Sequence, residues 1–194
     1  MKKFILAAVI MLASTAAFAQ HSAGSFTIQP RIGFSAADFN NTDDTKARVG
    51  LVVGPEFEYY LTNKFSIAGA LLYSQQGAEQ DKVDVTYKLD YINVPIVANF
   101  YVLKGLALKA GLQPGFNVNA KIDAGKGTEQ GNFEDAVKKF DLSIPVGLSY
   151  EFYNFVLDAR YNLGLTKIFD EDKINLDSKN LTFQLTLGYK FTLF

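Results

Sequence analysis

The residues with the most potential for chemistry are ten charged side chains at alternating positions of extended segments. Five are cations and five are anions. The set consists of Arg31, Arg48, Lys109, Arg160 and Lys190, together with Glu56, Glu58, Asp141, Glu151 and Asp158. Charges withdrawn from water are tolerated only when they are paired and hydrogen-bonded, so this balanced set predicts a cross-linked polar interior.

We place Arg160 at the centre of this predicted network, because a planar guanidinium can serve two carboxylates at once. Glu56 or Glu58 would be its partner across the interior. Asp158 would be its neighbour on the same face. An ion-selective pore would instead show an excess of one sign.

Enzymatic chemistry finds little support in the sequence. The only histidine is His21, outside every predicted strand, so histidine-dependent acyl transfer and proteolysis have no general base. Residues 125–128 read Gly-Lys-Gly-Thr, but they lack the spacing of a phosphate-binding loop and no helix follows. The sequence therefore predicts a protein that is not an enzyme and has no cofactor.

An acidic stretch near the C-terminus allows two interpretations. Asp170, Glu171, Asp172 and Asp177 could hold a hard cation such as Ca²⁺ through carboxylate oxygens. The simpler interpretation is a solvated acidic loop, and we predict no metal site. Without the two lysines of residues 1–19, 17 Lys plus Arg stand against 20 Asp plus Glu, a net charge of −3. This balance excludes a nucleic-acid partner.

The first twenty residues have the three parts of a secretory signal. Lys2 and Lys3 precede the apolar run 4–13, and Ala17-Phe18-Ala19 is a cleavage site of the small-x-small type. We predict a signal peptide at 1–19 and one barrel domain at 20–194. The chain contains no cysteine, so an exported form must fold without disulfides.

The element that must position the charged residues is the β-strand. In the segment 180–194, apolar residues occupy every second position from Leu181 to Leu193, with polar or small residues between them. A period of two indicates a strand with one apolar face. Seven upstream segments repeat the pattern, at about 25–36, 47–61, 65–74, 85–102, 106–120, 140–151 and 155–168.

The connections between these eight strands alternate in length. Tight turns are predicted at 62–64, 103–105 and 153–154, and longer loops at 37–46, 75–84, 121–138 and 169–179. Outer-membrane barrels combine short periplasmic turns with longer external loops. On the fourth strand the apolar positions change parity upstream of Asp90, which predicts a β-bulge or an exit from the membrane near 88–90.

A soluble barrel would show the same alternation, with its apolar face inside and its polar face in water. The composition of the polar face therefore distinguishes a soluble barrel from a membrane barrel. That face is rich in small residues, which suit a narrow lumen better than a solvated surface: Gly50, Gly54, Ala68, Ala70, Gly111, Gly115, Gly147, Ser149, Gly164 and Gly188. Aromatic residues concentrate near the tight turns and the C-terminus, as an interfacial girdle requires: Tyr59, Tyr60, Phe65, Phe100, Tyr101, Phe152, Tyr153, Phe155, Tyr189 and Phe191. We predict an all-β fold, an eight-stranded antiparallel up-and-down transmembrane β-barrel in the outer membrane.

Three motifs carry a family resemblance. They are Tyr-Ile-Asn-Val-Pro at 91–95, Leu-Asp-Ala-Arg-Tyr-Asn-Leu-Gly-Leu-Thr at 157–166, and Gly-Tyr-Lys-Phe at 188–191. Over essentially the whole mature chain, the sequence resembles the PorT-like or "porin family" outer-membrane barrels of Bacteroidetes. The resemblance implies an outer-membrane barrel, and for the PorT member itself a role in protein secretion. The family motif usually has Glu where this chain has Asn93.

The C-terminus resembles the signal that the barrel-assembly machinery recognises. Counting back from Phe191, Tyr189 and the apolar residues upstream occupy alternate, lipid-facing positions. Counting back from Phe194 would put Thr192 and Lys190 there instead, so we favour Phe191 as the recognised aromatic.

Two functions are compatible with this architecture. The first is a surface or secretion-accessory barrel with a largely closed lumen, which contacts a protein or surface partner through its external loops, above all loop 121–138. The alternative is a porin for small solutes or ions.

Overall fold

A computed structural model of the protein describes residues 22–40, 45–80, 85–124, 131–132, 136–169 and 178–194. The predicted signal peptide, the acidic stretch 170–177 and most of 125–135 lie outside these ranges. Within them, no helix is long and apolar enough to cross a membrane.

Eight long strands, three of them briefly interrupted, make up the structure. They are β1 (Phe26–Phe39), β2 (Thr45–Thr62), β3 (Phe65–Ala70 and Leu72–Gln80), β4 (Val85–Asn93 and Ile96–Leu103), β5 (Leu106–Ala124), β6 (Phe140–Phe152), β7 (Phe155–Gly164) and β8 (Asn180–Tyr189 and Phe191–Thr192). The break in β4 falls at Pro95, which has no backbone N–H to donate. A further short strand, Gly131–Asn132, pairs with β5.

Each strand pairs antiparallel with its neighbour in the chain, and β1 pairs with both β2 and β8. The sheet therefore closes on itself and leaves no open edge. The predicted eight-stranded antiparallel barrel is confirmed.

The two ends of the barrel differ in their connections. Two-residue turns at 63–64, 104–105 and 153–154 join strands at one end, which also holds both ends of the described chain. We call it the turn end, and the opposite end, with the long connections, the loop end. In outer-membrane barrels the short turns face the periplasm and the loops face outward.

Side chains alternate between a buried lumen face and an exposed outer face. On β8, Thr182, Gln184 and Thr186 are buried, whereas Phe183 and Leu185 are 45% and 41% exposed. An outer surface of exposed leucine, isoleucine and phenylalanine side chains is what contact with lipid tails requires. Small residues make room inside: a Cβ on Gly147 would overlap the backbone of Ala159 and Arg160 on β7.

On β4 the predicted irregularity is present, but it differs in detail from the prediction. The register shifts between Asp90 and Tyr91, where β5 supplies the extra residue, Val118. On β4 three consecutive residues, Leu89, Asp90 and Tyr91, are buried, and Leu89 and Tyr91 both contribute to the apolar core at the loop end. The apolar residues upstream of Asp90 therefore turn into the barrel, where they form an apolar core at the loop end.

Several strand ends at the loop end differ from the sequence-based prediction. The first strand reaches Phe39, not 36, and the third reaches Gln80, not 74. The seventh strand ends at Gly164, not at 168, because Ile168 and Phe169 leave the barrel wall and are buried in that apolar core. The fifth strand continues to Ala124, so the predicted loop 121–138 begins as strand.

The aromatic girdle at the turn end forms with fewer members than predicted. Tyr59, Phe100, Phe155 and Phe191 are exposed on the outer face. Tyr60 does not belong to this girdle: it is 1% exposed, and its hydroxyl lies 2.9 Å from that of Tyr101. Both tyrosines point inward because they share the parity of the charged lumen residues.

Candidate functional site

The middle of the lumen holds five charged side chains in mutual contact: Arg31, Glu56, Lys109, Asp158 and Arg160. We call them the central cluster. They come from β1, β2, β5 and β7, so the cluster connects four strands across the barrel. Each side chain is at most 4% exposed.

Arg160 connects the two carboxylates of the central cluster. Its Nη2 lies 2.5 Å from Oε2 of Glu56, and its Nε lies 2.7 Å from Oδ1 of Asp158. A single guanidinium thus bridges β2 and β7. This is the use of the planar fork that makes arginine suitable for buried carboxylate pairs.

Two further cations complete the cluster. Arg31 Nη2 donates to Oε1 of Glu56 at 2.8 Å, and its Nη1 lies 3.5 Å from Asp158 Oδ2. Lys109 Nζ lies 2.6 Å from Asp158 Oδ2 and 3.4 Å from Glu56 Oε1. Three cations therefore share two carboxylates, and each carboxylate contacts all three. The cluster thus holds one cation more than its two carboxylates balance, and loss of any one cation would remove a close charged contact from both buried carboxylates.

A second ionic group, the turn-end cluster, is centred on Lys190. Its Nζ lies 2.7 Å from Glu151 Oε2 and 3.0 Å from Glu58 Oε2, and it donates to the Tyr60 hydroxyl at 2.7 Å. Glu58 accepts further hydrogen bonds from Tyr101 at 2.7 Å and Asn99 at 2.8 Å. One cation serves two carboxylates here, the reverse of the excess in the central cluster.

Two of the ten predicted network residues lie outside both clusters. Arg48 donates to the backbone carbonyl of Gln76, and Asp141 accepts from the Thr166 hydroxyl at 2.5 Å. We expected one network of ten residues. The structure instead has two clusters, which hold five and three of them, and Arg48 and Asp141 belong to neither. Strand parity predicted the face of these residues, but not their height along the barrel.

Uncharged polar side chains connect β3 with β8 on the loop-end side of the clusters. Gln76 Nε2 donates to Ser74 at 3.2 Å, and the Oε1 of Gln76 accepts from Asn180 and, at 3.3 Å, from Thr182. Gln184 also donates to Ser74, at 3.4 Å. These bonds fill another part of the lumen with side chains.

An apolar core occupies the loop end of the lumen. We call it the apolar lid; it consists of Phe39, Ala78, Leu89, Tyr91, Ala120, Val137, Ile168 and Phe169. Val137 and Phe169 form an isolated antiparallel bridge, and Lys138 N donates to Ile168 O at 2.8 Å. The connections that follow β5 and β7 thus pair with each other inside the mouth of the barrel.

Sequence reasoning missed the lid, although one signal for it was present. The parity change upstream of Asp90 places apolar side chains on the lumen face, and only a buried partner makes such a placement favourable. Ile168 and Phe169 supply that partner. Phe169 stacks edge-on against Phe39 with ring centroids 5.7 Å apart.

The three aromatic residues of the predicted assembly signal lie on the outer surface of the turn end. Tyr189 is 38%, Phe191 49% and Phe194 75% exposed. Tyr189 contacts Phe191, with centroids 4.8 Å apart, and Phe194 stacks on Phe26 at 5.5 Å. Lys190, between the first two, points into the lumen.

The acidic stretch considered for calcium lies outside the described ranges. Among the residues that the structure describes, no group of three or more His, Cys, Asp or Glu side chains could hold a metal ion.

Solved structures with the same fold include bacterial surface proteins. The attachment invasion locus protein Ail of Yersinia pestis is 20% identical, with a TM-score of 0.52 over 87% of this chain and 99% of Ail. Ail in complex with the heparin analogue sucrose octasulfate gives 22% identity and a TM-score of 0.54 over the same shares. Neisserial surface protein A is 17% identical, with a TM-score of 0.52 over 87% of this chain and 97% of its own. At these identities the likeness shows the fold alone.

No curated protein matches the chain in sequence. The profile of a family described as outer membrane protein beta-barrel domain matches residues 18–170, which is more than half of the chain. Together with the closed ring and its lipid-facing surface, this match places the protein in the outer membrane. The chain belongs to the outer membrane protein β-barrel domain family.

Proposed function

We propose that this protein is a non-enzymatic outer-membrane barrel that conducts no solute and acts through its external loops. The observation that carries the proposal is the obstruction of the lumen at successive levels. From the turn end inward these are the turn-end cluster, the central cluster, the polar side chains around Gln76 and the apolar lid. An eight-stranded barrel is narrow enough for side chains to fill.

The charge balance supports a closed lumen over a pore. The two clusters together contain four cations and four anions, namely Arg31, Lys109, Arg160 and Lys190 with Glu56, Glu58, Glu151 and Asp158. A selective ion pathway would favour a ring of one sign and would keep its charges hydrated. These charges instead bind each other away from solvent.

Conductance in a planar bilayer tests the closed lumen most directly. We expect the wild-type barrel to show no steady current under conditions in which a general porin, measured in parallel, conducts. A steady wild-type current of general-porin size would overturn the proposal and favour the alternative function, a small-solute pore.

The loops remain the surface through which such a protein can act, because a rigid barrel presents them at fixed positions. We propose loop 121–138 as the main contact for a protein or surface partner. It is anchored on both sides: residues 121–124 extend β5, and Val137 is held in the apolar lid. Ail, which shares this fold, has been crystallised with a heparin analogue, so a barrel of this kind can carry a ligand-binding surface.

A loop exchange tests this assignment. Residues 125–135 would be replaced by a short glycine-serine turn, which leaves the anchors in place, and surface binding of whole cells would be compared with wild type. We expect binding to fall while barrel assembly is unchanged. The same exchange in loop 170–177 serves as the matched control. Equal binding by all three forms would contradict the role of loop 121–138.

Three narrower assignments remain proposals. The PorT-like placement depends on the three motifs at 91–95, 157–166 and 188–191. Export depends on cleavage after Ala19, which N-terminal sequencing of the outer-membrane form would test. Recognition by the barrel-assembly machinery depends on the outward-facing C-terminal aromatics.

A further inference from the structure

The chain has five prolines, and all of them lie in the barrel wall, four inside strands and Pro95 at the break of β4. Proline has no N–H for the ladder, so in open sheets it is confined mostly to edge strands. In a closed ring every strand has a neighbour on both sides. Each proline here therefore removes a ladder bond that another residue would donate.

Three of the prolines lie at neighbouring positions of the wall. At each position the opposite residue donates its backbone N–H to the proline carbonyl at 2.8–3.0 Å: Leu71 to Pro55, Ala70 to Pro95 and Val94 to Pro114. Opposite residues of a hydrogen-bonded antiparallel pair normally exchange two such bonds. The proline cannot return the bond, so each of these pairs keeps only one of the two.

Strand pairing is interrupted at the same level across four consecutive pairs of strands. It skips two residues on each strand, at 54–55 opposite 71–72, 70–71 opposite 94–95, 94–95 opposite 113–114, and 111–112 opposite 144–145. We call these positions the proline band. Residues 155–163 of β7, in contrast, pair with both neighbouring strands without a gap.

The proline band lies within the lipid-facing part of the wall. Leu71, Ile96 and Leu112, in or beside the band, are 52%, 56% and 53% exposed on the outer face. Lipid tails offer no hydrogen bond to replace one that a ladder lacks. The wall from β2 to β6 is thus held together least firmly at this level.

On the loop-end side of the band, three paired segments form a small sheet. They are residues 72–80 of β3, 85–93 of β4 and 115–124 of β5. We call this sheet the flap. Its edge toward β2 is irregular, because 48–51 and 75–77 are opposite each other without regular pairing. Side chains replace part of the ladder there: Gln75 Oε1 accepts from Leu51 N at 3.2 Å, and Arg48 donates to the Gln76 carbonyl.

The lumen side of the flap is held by contacts other than the ionic ones. None of the eight residues of the central and turn-end clusters lies in the flap. The apolar lid, however, is divided between the flap and the rest of the barrel. Ala78, Leu89, Tyr91 and Ala120 belong to the flap, and the other four lid residues do not. Apolar contacts therefore hold the flap closed, whereas ion pairs connect the strands beneath it.

We propose that the flap opens as one unit about the proline band, while the two ionic clusters keep the lumen closed beneath it. Hinged motions of this kind need a line of weak attachment and contacts that can separate, which the band and the lid supply. Opening exposes the apolar lid without creating a path through the barrel. Loop 121–138 begins in the flap at residues 121–124, so a partner bound to that loop, as proposed above, would shift the equilibrium between the closed and the open flap.

Hydrogen exchange of the full-length barrel in lipid nanodiscs, read by mass spectrometry, tests the opening. The relevant amides are those of 73–76, 89–92 and 116–119, the part of the flap nearest the band. We expect them to exchange together, and about tenfold or more faster than residues 160–163 and 181–185 in the loop-end half of β7 and β8. The measurement needs neither a partner nor a current, so its outcome is separate from that of the proposed function.

A reversible disulfide tests whether the flap moves against the barrel. Lys46 of β2 is directly opposite Glu79 of the flap, and both are exposed at the loop end. Because the chain has no cysteine, K46C/E79C can form only one disulfide within a chain. The oxidised form should slow exchange of the flap to the reference rate, and reduction should restore it. The matched control is E79C/T86C, which joins two strands inside the flap and should not slow exchange.

Substitutions test the band and the lid separately. Pro95→Ala restores an N–H opposite the Ala70 carbonyl and should slow exchange of the flap about fivefold. Pro30→Ala, the same change in β1 outside the band, should leave it unchanged. Phe169→Ala removes a lid contact from the barrel side and should speed exchange of the flap about a hundredfold. Heat-modifiable migration on a gel would verify that the variants are folded.

Four outcomes would overturn the proposal. The first is exchange of the wild-type flap at the reference rate, and the second is a different rate for each of its three segments. The third is equal slowing by the two disulfides, which would mean that the flap does not move against β2. The fourth is an equal effect of Pro95→Ala and Pro30→Ala, which would mean that the band is not the hinge.

Discussion

Arg160 and Glu56 are 104 residues apart in the chain, yet their side chains meet at 2.5 Å inside the barrel. The contact joins β7 to β2 across the lumen and is possible only in the closed ring. Both side chains are 2% exposed, so the pair is shielded from solvent screening.

Arg160→Ala should destabilise the barrel by about 3–5 kcal/mol, because the buried carboxylates of Glu56 and Asp158 each lose a charge-assisted hydrogen bond, although Arg31 and Lys109 still balance their charge. Urea unfolding of the barrel in lipid vesicles, followed by tyrosine fluorescence, measures the change. Arg48→Ala is the matched control, since Arg48 lies outside both clusters and should cost clearly less. Equal unfolding midpoints for wild type and Arg160→Ala would show that the central cluster does not stabilise the fold.

In the turn-end cluster, we expect that neutralising two carboxylates restores the stability lost with Lys190. Lys190→Met should destabilise the barrel because Glu58 and Glu151 lose their shared cation, whereas Lys190→Met combined with Glu58→Gln and Glu151→Gln should recover most of the loss. The same unfolding assay compares the three forms. If the triple variant is no more stable than Lys190→Met, the loss comes from packing of the lysine stem and not from its charge.

Four levels of obstruction in series predict how leakage depends on mutations. Arg160→Ala opens the central cluster, Lys190→Ala the turn-end cluster, Gln76→Ala the polar level between cluster and lid, and Ile168→Ala with Phe169→Ala the apolar lid. We expect each of these changes alone to leave the bilayer current near that of wild type, and only the combination of all of them to conduct, because each intact level blocks the path. A current from the lid variant alone, equal to that of the combination, would show that the ionic clusters do not obstruct the lumen.

The C-terminal aromatics predict an assembly defect. Phe191→Ala should lower the yield of the heat-modifiable outer-membrane form, whereas deletion of residues 192–194 should lower it less, because Tyr189 and Phe191 keep their alternate outer positions. Cell fractionation and gel migration measure both. Normal assembly of Phe191→Ala together with failure of the deletion would move the recognised aromatic to Phe194.

Local sequence was sufficient for the face of most residues. A period of two in residues 180–194 assigns Phe183 to the outer surface and Gln184 to the lumen without knowledge of any partner, because successive side chains of a strand point to opposite sides. Eight alternating segments with alternately short and long connections likewise predicted the closed barrel. The period of two also predicted that Arg160 faces inward beside Asp158.

Height along the barrel is a different property, and it depends on the tilt and register of strands far apart in the chain. Parity gave Arg48 and Arg31 the same face, but the closed ring places Arg31 in the central cluster and Arg48 beside the Gln76 carbonyl. Tyr60 was expected in the outer girdle because it is aromatic and near a turn, yet its parity and the Lys190 ammonium place it inside. The apolar lid likewise required tertiary contacts, since Leu89 and Phe169 become neighbours only when the chain segments that follow β5 and β7 fold into the mouth of the barrel.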